Sequence, residues 1–261
     1  MKSTFLRLTL IPFLFVLFFP YLTSAETKIF IKEYTYQASE IDSKVSCRAI
    51  ALEQVKRLLL EELGTYLESH TEVSNFQLTK DQITSLTAGI VQTEILWEKW
   101  DGEKFRLKAQ IAADPDGVTK TIDDFRKDLQ KTRDLERVRA EADKYLRENE
   151  QLKKELLSTK ENIEKLKKYN ENIDKLRATD WFEKGSSIGV TNNEGAVEAF
   201  SKAIELNPKM SEAYISRGMR YALQFKNREG LDDINKAIEI FKTLPPKEGI
   251  FCYYPFRALG Y

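Results

Sequence analysis

Neither proline nor glycine interrupts the chain between Val118 and Asp180. At 1.5 Å per residue an unbroken helix of that length reaches roughly 90 Å. A compact chain of this size has a radius of gyration of only about 18 Å. The stretch therefore predicts a rod over residues 115–178 that holds two folded ends apart. Asp114-Pro115-Asp116 marks its start, with an acidic cap, proline in the first turn and a further acid beside the positive helix end.

Part of the rod carries a heptad seam. With Leu135 at an a position, Val138, Ala142, Tyr145, Leu152, Leu156, Ile163, Leu166 and Ile173 fall on a or d. Asn149 and Asn170 fall on a, and Thr159 on d. Apolar a/d positions among Lys and Glu predict helix pairing, and a polar Asn at a costs stability while setting register and favouring two strands. Leu152, Leu156, Ile163, Leu166, Asn149 and Asn170 are the expected pairing residues of a homodimer. Ile122, Phe125 and Leu129 are out of phase, which places a skip near Thr132.

The first 25 residues read as a secretory signal. Lys2 and Arg7 precede an apolar run from Leu8 to Phe19, and Thr23-Ser24-Ala25 supplies small residues for cleavage. The expected mature start is Glu26, and membrane association is expected only if the segment is retained. The whole chain has 41 basic and 41 acidic residues; without Lys2 and Arg7, 39 basic residues face 41 acidic, a net charge of −2. That balance gives no electrostatic case for nucleic acid. Two cysteines, Cys47 and Cys252, make no disulfide framework. One histidine, His70, excludes a multi-histidine metal site within the chain.

Residues 26–114 predict a small α+β domain, a helix on a three-stranded sheet. Thr27 to Tyr36 is β-branched and aromatic, as in a strand. Val45, Ala49, Leu52, Val55, Leu59, Leu63 and Leu67 then recur at helical spacing, with Gly64 a point of bending or fraying. Thr79 and Gln82 form a capping box for a short helix ended by Gly89. A C-terminal β-hairpin turns at Asp101-Gly102. Its second arm alternates Phe105, Leu107, Ala109 and Ile111 with polar residues. Trp97 and Trp100 should lie on opposite faces of the first arm.

The run "CRAIALEQVKRLLLEELGTYLES", then "FQLTKDQITSLTAGIV" and the hairpin, resembles the amino-terminal domain of the flagellar assembly protein T and a small outer-membrane lipoprotein family. The resemblance implies a non-catalytic module of the bacterial envelope.

Residues 179–244 carry a second resemblance. Trp181, Gly185, Ala196, Phe200, Ala203 and Pro208 match the positions of a tetratricopeptide repeat, and Tyr214, Gly218, Tyr221, Gly230, Ile234 and Ala237 repeat them. Ala203 and Ala237 are 34 residues apart, the repeat length of that family. Asp180 and Glu183 form a capping-box pattern that places a new helix start there. The match departs from the family at "VTNNEG", one residue short, and at Gly230, where alanine is usual. The resemblance implies an α-solenoid of about two repeats whose first helices line a groove. Phe182, Ser186, Gly189, Val190, Ile215, Met219 and Ala222 would face that groove, an apolar surface for a protein segment. Pro245-Pro246 then breaks the helix, and residues 245–261 form an aromatic tail expected to cap the repeats.

These readings combine into a secreted envelope scaffold without catalytic, cofactor-binding or metal-binding residues. Its expected partners are another envelope protein or peptide segment and a second copy of the chain. A structural or assembly role in an envelope machine, such as a flagellar basal body or secretion apparatus, is the alternative. Glycan or peptidoglycan binding by the tryptophans is the third reading.

Overall fold

The computed structural model describes residues 27–70, 78–158, 162–189 and 191–243. The expected signal segment, Thr159, Val190 and the aromatic tail 245–261 lie outside the described residues. Among the described residues no helix is long and apolar enough to cross a membrane, and no cluster of His, Cys, Asp and Glu could hold a metal ion.

Strand β1 (Lys28–Gln37), helix α1 (Lys44–His70), helix α2 (Lys80–Ala88), strand β2 (Thr93–Trp100) and strand β3 (Lys104–Ala113) form the α+β part. The sheet is antiparallel with order β1-β3-β2. Its inner face presents Phe30, Phe105, Leu107, Ala109 and Ile111 to the apolar stripe of α1, where Val55, Leu59, Leu63 and Leu67 are fully buried. Each such leucine stabilises the fold by about 1.5–3 kcal/mol. The other face is open to solvent.

The hairpin turns where Gly102 takes φ +98°, a conformation that costs a residue with a Cβ. A bulge between Ile95 and Trp97 leaves Trp97 opposite Lys108 on the outer face, while Trp100 packs inward on Phe105 at 6.3 Å. The Thr79–Gln82 capping box closes in both directions. Helix α1 continues through Gly64, which is buried beside Thr84 and Ile83 of α2.

The single rod does not form. Residues 115–178 divide among α3 (Pro115–Lys127), α4 (Leu129–Ser158) and the first part of α5 (Ile163–Ile188). The first break falls at Asp128, whose carboxylate caps Lys131 N while the Thr132 hydroxyl donates to Phe125 O. This is where the heptad frame skips. At the second, Asn162 accepts from Lys165 N and starts α5. Helix α5 then runs back antiparallel to α4, as shown by Lys165 on Glu155, Lys168 on Glu148 and Arg139 on Glu183.

Ala142, Leu152 and Ile173 of the a/d seam thus meet within one chain, with Leu146, Tyr169 and Leu176 joining from outside the frame. Ala142, Leu146 and Leu152 pack with Tyr169, Ile173 and Leu176, and with Ala49 and Ile50 of α1, while Leu156 is half-buried against them. Ile163, Leu166 and Asn170 are exposed. The physical reason is loop closure. Two complementary seams joined by a short connection meet at less entropic cost than two separate chains.

Helix α5 also continues through Asp180, so no helix starts there. Helices α6 (Asn193–Leu206), α7 (Ser211–Leu223) and α8 (Asn227–Thr243) follow as α5–α6 and α7–α8 pairs. The starts of α6 and α8, Asn193 and Asn227, are 34 residues apart. One core runs from Phe30 and Leu59 through Leu135 and Val138 to Phe182, Phe200 and Ala213. The two ends are therefore joined by packing.

Candidate functional site

The positions expected to line a groove divide into two groups. Phe182, Ser186 and Ile215 are buried, at 1%, 6% and 4% exposure. Met219 and Ala222 are exposed. Gly189 is buried. Phe182 packs on Phe200 with ring centroids 5.6 Å apart, so it belongs to the core of the α5–α6 pair.

Helix α4 reaches α5 and α7 through charged side chains. Its Arg139 reaches Glu183 of α5 at 3.1 Å, and its Arg137 pairs with Glu212 of α7. Lys131 lies close enough to Arg220 of α7 that burial and this guanidinium push its ammonium down to about 8. The inner side of α5 and α7 is thus occupied in cis. Of the expected groove positions, Phe182, Ser186 and Ile215 are thus buried within the chain, and Met219 and Ala222 remain at the surface.

A cleft of about 1200 Å³ lies elsewhere, between α1, α3, the ends of β2 and β3, and α5. Ala49, Leu52, Ile90, Val118 and Trp181 are among its apolar walls, and Glu53, Lys56, Asp180 and Glu183 are among its charged residues. Lys56 is a 5% exposed side chain that donates to Asp180 at 3.0 Å and also to Glu183. Arg139 approaches Glu53 at 2.7 Å.

Burial disfavours charge on both Lys56 and Glu53. For Lys56 the carboxylates of Glu183, Asp180 and Glu53 win, and its pKa rises. For Glu53 desolvation wins over Arg139 and Lys56, and its carboxyl is held above the ordinary range. Each buried carboxylate here faces a cation. The arrangement ties three helices together. Sequence reading missed Glu53, Lys56 and Arg139. Their signal was charge beside the apolar stripe: Glu53 and Lys56 flank Val55 in a helix whose neighbours are leucines.

Among the described residues, no further helix follows the α7–α8 pair. Leu223, Phe225 and Leu231 are 61%, 91% and 61% exposed, and Met219 is 39% exposed. Arg217 holds this pair together, donating to both oxygens of Asp233 at 2.8 and 2.7 Å and to Ser201 of α6 at 3.0 Å.

Comparison with known proteins gives a partial match. A stretch of 45 residues, 17% of the chain, is 44% identical to tetratricopeptide repeat protein 36 of Caenorhabditis elegans. The match spans a quarter of that relative's length. No family profile and no solved structure matches the chain. The resemblance supports tetratricopeptide-like helical repeats.

Proposed function

We propose that this chain is a non-catalytic protein-interaction scaffold whose helical repeats form a short solenoid that presents its open α7–α8 end to a partner. The carrying observation is the apolar run Met219, Leu223, Phe225 and Leu231 on that end. Within the chain, α7 covers α6 at the preceding step. An amphipathic helix of another protein, with apolar residues at helical spacing, would continue the stack in the same way. With α4 across the inner face, the end of the stack replaces the concave groove as the recognition surface. The resemblance to a tetratricopeptide repeat protein supports the interaction role. The basic-apolar-small grammar of residues 1–25 supports export to a bacterial envelope, where the partner would be another envelope protein.

The test is site-specific photo-crosslinking in cells from Leu223 and Leu231, with Ala140 on exposed α4 surface as control. The expected result is one partner captured from both end positions and not from Ala140, and lost in the Leu231→Asp variant with an unchanged melting temperature. Equal capture from all three positions, or capture that survives Leu231→Asp, overturns the surface assignment.

A further inference from the structure

Two helices meet at the cleft with matching pairs of charges. Helix α1 sets Glu53 and Lys56 three residues apart, and α5 sets Asp180 and Glu183 at the same spacing. Residues three apart share one face of a helix. Lys56 donates to Asp180 and Glu183, and Arg139 of α4 reaches Glu53 and Glu183. Two cations thus serve three carboxylates. Glu53 is the one left short. Its Oε1 lies 2.7 Å from Arg139 yet accepts no hydrogen bond, although the residue is only 2% exposed. Burial prevails there and lifts the carboxyl for want of a cation of its own.

The rest of the lining does not supply that cation. Arg48 is bound to Glu98 and Arg177 to Asp174, both at 2.8 Å and both away from the cleft. Lys184 lies over the Trp181 ring at 4.8 Å. Glu94 accepts from Gln110, and Asp114 accepts from Asp116 N, so neither brings a cation with it. Glu53, Asp180, Glu183, Glu94 and Asp114 therefore face Lys56, Arg139 and Lys184, five carboxylates to three cations. Apolar area surrounds this excess. Val45 is 52% exposed at the cleft, and Ile90, Val91, Ile95 and Trp181 are half-buried there. The volume of about 1200 Å³ is just above the usual range of small-molecule sites, about 300–1,000 Å³. Among the described residues no cluster of His, Cys, Asp and Glu could hold a metal ion, so the chemistry suits an organic cation.

We propose that the cleft binds a small organic cation, a primary amine with an apolar body. Its ammonium sits between Glu53 and Asp180, and its body lies on Ile90, Val118 and Trp181. Asp180 is the open member of the pair, its side chain 36% exposed. A buried carboxylate is costly until a cation pairs with it, which favours an ammonium over a neutral group of the same size. An anion would add to the excess. This site is separate from the α7–α8 end and stands whether or not that end binds a partner.

The test is calorimetric titration of the full chain with hexylamine, hexanol and hexanoate, which share one alkyl body and differ in charge. Hexylamine should bind at one site, at least about tenfold more tightly than hexanol, and hexanoate should not bind. The amine affinity should fall from about pH 7 to about pH 5, as protons compete for Glu53, while hexanol binding stays level. Glu53→Gln should erase the preference for the amine. Where that variant fails to fold, Asp180→Asn at the rim gives the same reading. Equal binding of amine and alcohol, no binding of any of the three, an amine affinity that ignores pH, or a preference that survives both variants overturns the inference.

Discussion

Arg139 of α4 lies 2.7 Å from Glu53 of α1, with both side chains almost wholly buried. The same guanidinium reaches Glu183 of α5, so one residue joins the α+β part, the helical hairpin and the repeats. Removing one member of a buried ion pair leaves an uncompensated charge, at about 3–5 kcal/mol. Arg139→Ala should therefore lower unfolding stability by about that amount in urea titrations, and both parts should lose stability together. A second transition, with the repeats melting unchanged, would show that the network does not couple them.

Asp42 collects donors ahead of α1. It accepts from Ser39 N and Ser39 Oγ at 2.8 Å, from Lys153 Nζ at 2.8 Å and from Tyr169. Burial pushes its carboxyl up, but the bonds from Lys153, Tyr169 and Ser39 outweigh burial and hold it below the usual 3.8. A depressed folded-state value means stability that is present above the unfolded value and is lost as pH falls through the folded one. Acid titration below about pH 4 should thus destabilise the native chain. Asp42→Asn should be less stable at neutral pH and show a shallower acid loss. An unchanged acid limb would remove Asp42 from the account.

Leu152 and Ile163 separate an intramolecular hairpin from a two-chain coiled coil. Leu152 is buried in the α4–α5 seam and Ile163 is 84% exposed. Leu152→Ala should cost about 2–5 kcal/mol, the range of large-to-small core changes. Ile163→Glu should stay within about 0.5 kcal/mol, as at an ordinary surface site. Both values come from chemical denaturation. Concentration-dependent loss with Ile163→Glu would restore the two-chain seam.

Gly185 sits under the Phe200 ring, and a Cβ there would lie 2.7 Å from its edge. Phe200 is itself buried and packed on Phe182. Gly185→Ala gains helix propensity of about 1 kcal/mol but forces a rigid ring to move, an overpacking cost of about 1–3 kcal/mol. The net outcome should be a lower melting temperature. A stabilised variant would mean that the α5–α6 contact is looser than its geometry.

Local signals were legible wherever short-range chemistry decides the outcome. The Thr79–Gln82 capping box, the Asp101-Gly102 turn, the opposed faces of Trp97 and Trp100 and the heptad skip near Thr132 each depend on residues within a few positions of one another. The 34-residue spacing of Ala203 and Ala237 was legible in another way, as a repeat period. What only the tertiary structure decided was where each face goes. A heptad seam reads identically whether its partner is another chain or the next helix of its own. Here α5 folded back on α4, so Leu152 became core and Ile163 was left outside. A tetratricopeptide-like helix likewise presents Phe182 and Ile215 in the same pattern whether they end up buried or exposed. Asp180 and Glu183 mimic a helix cap in sequence, yet they serve Lys56, 124 and 127 residues away. Spacing along the chain encodes which residues share a face; burial of that face is settled by elements far away in sequence, whose contacts outweigh the local pattern.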